Sequence, residues 1–381
     1  VGVFRMVQAV GGSMLNPVAV SIIRNTFDDP RERAQALGAW GAVIGISLGL
    51  GPVVGGVLVH AVGWRSIFWV NIPVGVAAIA LTARFVPESK ADHPRRLDPV
   101  GEILVIVFLA SLTYSIIEGP QAGWGSDQIV GLFALAVVSL GSFVWYERRR
   151  DEPLIDVRFF RSTPFSGATL IAVSSFAAFS GFLFLNTLYL QDVRGLSPLD
   201  AGLYTLPMAA MTIIMSPISG AIVGRRGARP PLVVSGCALA VSSLMLTGLS
   251  ATTSFTWLIV SYLLFGIGFG LVNPPISQTA VSGMPAAQAG VAAAVASTSR
   301  QVGQALGVAV VGVAATSSLH GSMGAGLAAA SHAGWWIITG CGLVVLVLGV
   351  VTTSGRARRS AQRTADLLGG EVPVTAASPL G

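Results

Sequence analysis

Charge is what this chain has least of. Only 10% of its 381 residues are Asp, Glu, Lys or Arg, while 53% are hydrophobic. Mean hydropathy is +0.74. A soluble domain carries about a quarter charged residues, so a water-soluble fold would have too little polar surface to cover its core. That argues against a soluble enzyme, a disordered chain and a nucleic-acid binder. Lysine is nearly missing too: Lys90 stands alone against 22 arginines. No G-x-x-x-x-G-K-[ST] loop occurs, which excludes nucleotide hydrolysis by the P-loop route. The two cysteines, Cys237 and Cys341, lie in apolar segments and read as packing residues, not as a disulfide or metal pair. The four histidines (His60, His93, His320, His332) are scattered near loops. With no cluster of His, Cys, Asp or Glu inside an apolar run, we expect no catalytic residue, metal or cofactor. No filter repeat or ring of charge suggests a channel. Val1 already lies in an apolar run, and no basic-then-apolar signal peptide with a small-residue cleavage site is evident.

Glycine and long apolar runs are what the chain has instead. Glycine numbers 46; in a water-exposed helix each costs about 1 kcal/mol relative to alanine, but between membrane helices glycine lets backbones approach closely. A membrane-crossing helix needs about 20 apolar residues. Eleven segments qualify, near 1–26, 35–60, 67–86, 100–118, 129–146, 164–190, 201–223, 231–250, 255–280, 288–317 and 333–353. The predicted class is an all-α polytopic membrane protein, because lipid offers no partner to free backbone groups and barrel strands would alternate over about ten residues. Nineteen basic residues fall on one set of connections, including Arg31, Arg33, Lys90, Arg148–Arg150, Arg225, Arg226, Arg229 and Arg356–Arg363; only Arg65 and Arg194 fall on the other. By the positive-inside rule the basic connections and the C-terminus face the cytoplasm. Eleven spans ending inside put Val1 outside, which leads us to expect an odd number of spans upstream. Residues 354–381, rich in Ala, Arg, Ser and Thr, read as a cytoplasmic tail with little reason to fold.

Several motifs occur in order along these spans: Arg5-x-x-Gln8-x-x-Gly11-Gly12 with Pro17; Gly51-Pro52-x-x-Gly55-Gly56; Trp64-Arg65-x-x-Phe68-x-x-Asn71-x-Pro73; Glu118-Gly119-Pro120 with Gly123-Trp124; Gly220-x-x-x-Gly224-Arg225-Arg226-Gly227-x-Arg229; and Arg300-Gln301-x-Gly303-x-Ala305-Leu306-Gly307. Together, over roughly residues 2–353, they resemble the major facilitator superfamily, in its 14-helix drug:proton antiporter branch. The resemblance implies that the first span corresponds to the family's fourth helix, with three helices upstream. It divides the chain into 1–86, the rear half of an N-terminal bundle; 87–163, two extra linker helices; 164–353, a C-terminal six-helix bundle; and the tail. Gly224 stands where the loop motif usually has an aspartate, and Ser47 where the fifth-helix motif often has glycine.

The resemblance implies two helix bundles that rock about a central site, with proton influx driving export of drug-like or antibiotic compounds from the cell membrane. An apolar cavity suits hydrophobic or amphiphilic substrates. An importer or exporter of another solute, such as a siderophore or metabolite, remains the alternative. The expected partners are membrane lipid, substrate and protons; the protein is expected to be a monomer, and residues 1–381 alone to be inactive. Arg5, Gln8, Arg300 and Gln301 are candidates for proton coupling or the cavity, since an arginine in the bilayer needs a cavity or an acid. Snorkelling to the outer interface is the competing reading for Arg5, and anchoring at the inner interface is the competing reading for Arg300. Asn186, Tyr189, Asn273 and Gln278 are candidates for the substrate path, or for interhelical hydrogen bonds. Gly51, Pro52, Gly55 and Gly56 are expected to pack helices and seal the bundle interface on one side. Gly220, Arg225, Gly227 and Arg229 form the loop motif. No acid stands near the midplane of the last six spans, so the titrating carboxylate is expected elsewhere.

Overall fold

The computed structural model describes residues 7–12, 15, 18–19, 22–23, 26, 30–86, 98–150, 153, 155–282, 284, 289–317 and 323–368. Among them there are helices and no strands. We number them α1 (Pro30–Ala61), α2 (Ser66–Trp69), α3 (Asn71–Phe85), α4 (Pro99–Ala122), α5 (Asp127–Glu147), α6 (Thr163–Leu188), α7 (Pro198–Tyr204), α8 (Leu206–Arg226), α9 (Arg229–Leu246), α10 (Phe255–Val281), α11 (Ala289–Ser317), α12 (Met323–Thr352) and α13 (Gly355–Leu367). The starts follow from local chemistry. Asp98, Ser126, Ser197, Ser254 and Ser354 each accept a hydrogen bond from a backbone N–H in the first turn of the following helix, satisfying one of four orphan donors. Pro99 and Pro198 follow two of these caps at a position where no N–H is needed.

Among the described residues eight spans are long and apolar enough to cross a membrane, and the protein is a polytopic all-α membrane protein. Eleven were expected. The first, 1–26, lies largely outside the described residues. In α1, which covers the expected span 35–60, the described apolar stretch is Leu50–Ala61. α11 is 29 residues long, but the polar run Ser297-Thr298-Ser299-Arg300-Gln301 interrupts its apolar stretch.

The core lies among α6, α9, α10, α11 and α12, which pack on one another. α6 is central: 61% of its span is buried, against 6% for Ser66–Phe85. Phe182 stacks on Phe265 at 4.2 Å and meets Tyr262 and Trp335 edge-on at 5.5 and 5.6 Å. Buried hydroxyls tie helices to one another's backbones: Ser219 to Leu271 O, Ser235 to Gly268 O and Ser242 to Ser261 O, each at 2.7 Å. Such interhelical bonds contribute about 0.6 kcal/mol each on average.

At the arginine-rich end, α4 and α5 are clamped by Arg150, whose Nη1 donates to Asp98 Oδ1 (2.9 Å) and to the Tyr146 hydroxyl (2.8 Å). The expectation of an unfolded tail does not hold for its first part. Ser354 caps α13, whose Ala357, Ala361 and Ala365 are buried at four-residue spacing, and α13 packs on α6 and on the 3-10 turn Val157–Arg161. Ser360 Oγ donates to Arg161 O (2.9 Å) and accepts from Thr163 N (3.2 Å). Small residues on one face and arginines on the other let a polar segment dock without a large apolar stripe.

That turn starts at Asp156, which accepts from the Arg158 backbone N–H (2.9 Å) and from its guanidinium (2.7 Å). Burial pulls the Asp156 carboxyl upward, but the Arg158 hydrogen bonds outweigh it and hold the carboxyl below its usual range. A depressed carboxylate stabilises the fold above its unfolded pKa, and that contribution is lost as pH falls through the lower folded value. Exchange of the Arg158 amide should therefore accelerate on acidification below the ordinary aspartate range. Exchange at a constant fraction of the intrinsic rate through that range would rule the contact out.

Candidate functional site

Two places join chemistry-bearing residues from different helices. The first is a seam between α1 and the pair α7 and α8, at the end away from the arginines. Pro52 sits inside α1, where it removes a helical hydrogen bond. One turn on, Gly56 is buried against the backbone of α7: a Cβ there would lie 2.5 Å from Pro198 O and 2.9 Å from Leu199 Cα. The contact is reciprocal. A Cβ on Gly202 would lie 2.7 Å from Pro52 O and 3.2 Å from Val53 Cα. Two backbones thus cross with a glycine on each side, a separation that no side chain permits. Gly51 and Gly55, from the same motif, have nothing within 4 Å of a would-be Cβ. Gly202 and Pro198 were not among the residues singled out from sequence. Ser197-Pro198 read as a helix start would have placed the glycine four residues later on the face of a short helix.

The second place is around Arg300 on α11. An arginine deep in a bilayer costs about 2.5–3.5 kcal/mol on insertion scales, so its surroundings matter. Arg300 Nη2 donates to Ser277 Oγ on α10 (2.7 Å), and the guanidinium carbon lies 6.0 Å from the centre of the Phe176 ring on α6. Its Nε is buried without a hydrogen-bond partner. Gln278 and Gln301 are exposed beside it, and Asn273 is half-buried on α10. One turn along α11, Gln304 joins Phe179, Leu183, Phe184, Leu188 and Val308 around a groove of about 590 Å³ between α6 and α11. Ser277 and Phe176 were not anticipated; polar and aromatic residues three or four apart on two other helices give no signal until the helices are placed.

Asn186 and Tyr189 do not line a path. Both are at most 1% exposed. The Tyr262 hydroxyl donates to Asn186 Oδ1. Tyr189 donates to Ser250 O (2.7 Å) and accepts from Arg194, which also donates to Thr253 O (2.6 Å) and lies 4.1 Å over the Phe255 ring. These residues fasten the end of α6 to the turn between α9 and α10, so in this conformation the interhelical reading replaces the substrate-path one.

Arg5 lies outside the described residues; Gln8 is exposed. In the loop motif, Gly227 ends α8 at φ +78°, a conformation other residues adopt only with strain. Gly220 and Gly224 have open space around them, and Arg225, Arg226 and Arg229 cluster at that turn. Among the described residues no group of three His, Cys, Asp or Glu is arranged to hold a metal ion.

The family model described as Major Facilitator Superfamily matches residues 2–308. Multidrug resistance protein Stp of Mycobacterium tuberculosis is 39% identical over 308 residues, covering 81% of this chain and 57% of that protein. The tetracenomycin C resistance and export protein of Streptomyces glaucescens is 36% identical over 312 residues, 82% of this chain and 58% of its own length. The methylenomycin A resistance protein of Streptomyces coelicolor is 33% identical over 327 residues, 85% of this chain and 68% of its own. The chain thus spans somewhat over half the length of the first two.

Proposed function

Because the chain belongs to the Major Facilitator Superfamily, we propose that it works in proton-coupled export of drug-like or antibiotic compounds by alternating access across the cell membrane. The observation that carries this reading is the glycine seam. Relatives named for multidrug resistance and for export of an antibiotic support the substrate class. Residues 1–86 belong to one bundle, 164–353 to the other and 87–163 to a linker pair. The arginine-rich connections and α13 face the cytoplasm, so the seam between Gly56 and Pro198 closes the interface on the outer side. A central site between the bundles then opens inward, and separating the seam would open it outward. Gly227 and its arginines form the inner turn between α8 and α9.

Arg5 and Gln8 are assigned to proton coupling, and Arg300 with Gln301 to the cavity. From 164 to 353 the sequence holds only two carboxylates, Asp192 and Asp200, both at the outer end, so the proton-carrying acid is assigned outside this bundle. The test is efflux of a fluorescent amphiphile from inverted-membrane or whole-cell preparations of the transporter. Collapsing the proton gradient with an ionophore is expected to stop efflux with ATP held constant. Transport that survives collapse of the gradient and follows ATP instead overturns the mechanism.

A further inference from the structure

The export reading leaves the substrate's charge open, and Arg300 bears on it. From Thr163 to Thr353 the chain places cations at both ends of the helices but no carboxylate between them; Asp192 and Asp200 stand at the outer end. Arg300 is 11 residues along α11 from Ala289, roughly 16 Å up the helix axis. Among the described residues its guanidinium, which has five donors, makes one hydrogen bond, to Ser277 Oγ. Its Nε is enclosed without a partner, and no ion pair among the described residues involves it. A cation with an enclosed, unpartnered Nε calls for an anion, and the sequence between the ends of this bundle supplies none. The aromatic face of Phe176 on one side and the apolar groove one turn away, lined by Phe179, Phe184 and Val308, give an apolar body somewhere to lie.

We propose that Arg300 is the anchor of an anion site in the six-helix bundle, and that the compounds it takes are small amphiphiles carrying an acidic group, such as a carboxylate or an ionised enol or phenol, next to an aromatic body. The planar fork of the guanidinium pairs with a carboxylate through two parallel bonds. The Ser277 hydroxyl takes one bond from Nη2, and Nε is enclosed without a partner. Neutral or cationic amphiphiles would leave Arg300 unpaired and bind more weakly. This site rests on the export reading for its role, but its chemistry can be tested without transport.

The experiment measures binding of two matched probes, 2-naphthoate and 2-naphthylmethylammonium, to the purified protein in phosphatidylcholine nanodiscs. Wild type is expected to bind the anion at least ten-fold more tightly than the cation. R300Q should remove that preference, with the anion weakened at least ten-fold. R300K should retain part of it, because charge survives while the bidentate fork is lost. Equal affinity for the two probes in wild type, or naphthoate binding within two-fold of wild type in R300Q, overturns the proposal. Should R300Q fail to stay monodisperse, the wild-type preference and R300K decide. Naphthoate binding that disappears in a graded way as phosphatidylglycerol replaces phosphatidylcholine would show a lipid headgroup as the occupant and also overturn it. Charge-selective binding by a protein that shows no proton-driven efflux would refute the exporter and leave the anion site standing; efflux with no charge preference would do the reverse.

Discussion

Gly56→Leu is expected to bring efflux down to background while the protein still inserts and stays monodisperse. The first atom added is already in conflict, 2.5 Å from a backbone oxygen and 2.9 Å from a backbone carbon, and neither can swing aside as a side chain would. Relief requires α1 and α7 to move apart. Overpacking of this kind costs about 1–3 kcal/mol, which shifts the equilibrium between closed and open seam by about 5- to 150-fold. The alternating-access exporter proposed above must visit both states, so the loss of one by such a factor would stall its cycle. Gly56→Ala should give a smaller effect in the same direction, and Gly202→Ala should match it, because its Cβ would strike Pro52 O at 2.7 Å across the same seam. Gly51→Ala and Gly55→Ala, with nothing within 4 Å, should stay within about two-fold of wild type, as substitutions away from contacts usually do. Efflux rates would be read alongside labelling of Leu199→Cys by an impermeant maleimide, which should accelerate in Gly56→Leu. Wild-type export by Gly56→Leu would remove the seam from the mechanism.

The second large effect is on stability. Phe182 is fully buried and joins α6 to α10 and α12 through Phe265, Tyr262 and Trp335. In water-soluble cores Phe→Ala costs about 3–5 kcal/mol, part transfer and part cavity. In lipid the transfer part shrinks, since a side chain released from the core meets hydrocarbon, not water. What remains is lost packing and aromatic contact, the latter about 0.5–1.5 kcal/mol per pair. Phe182→Ala is thus expected near the lower end, about 3 kcal/mol. Leu170→Ala on the same helix, at a position 52% exposed, should change stability by less than about 0.5 kcal/mol. Reversible unfolding in mixed micelles, followed by near-ultraviolet circular dichroism, separates the two. A cost for Phe182→Ala no larger than that for Leu170→Ala would show that the cluster does not hold these helices together.

The tail shows a signal that composition hid. Ala357, Ala361 and Ala365 recur every fourth residue behind the Ser354 cap, which is a readable helix. A search for apolar residues passes over it because alanine against arginine makes a face without a hydrophobic stripe. Asn186 and Tyr189 show the opposite failure: polar residues in apolar spans suggest a cavity, yet each had a partner on a neighbouring element.

The amino-acid sequence by itself determined that helices cross a bilayer, where most of them lie, and which family motifs they carry. It could do so because hydrocarbon forces every backbone group into helical pairing, so an apolar run of sufficient length has one outcome. The tertiary structure alone decided which glycine of Gly51-Pro52-x-x-Gly55-Gly56 touches another helix, that Gly202 is its counterpart, and that Arg300 meets Ser277 and Phe176. In water, polarity tells a helix which face turns inward; in lipid the surroundings are as apolar as the core. α6, apolar all round although only part of its surface is buried, therefore carries no stripe to show its rotation, and facing is set by packing that only the assembled helices display.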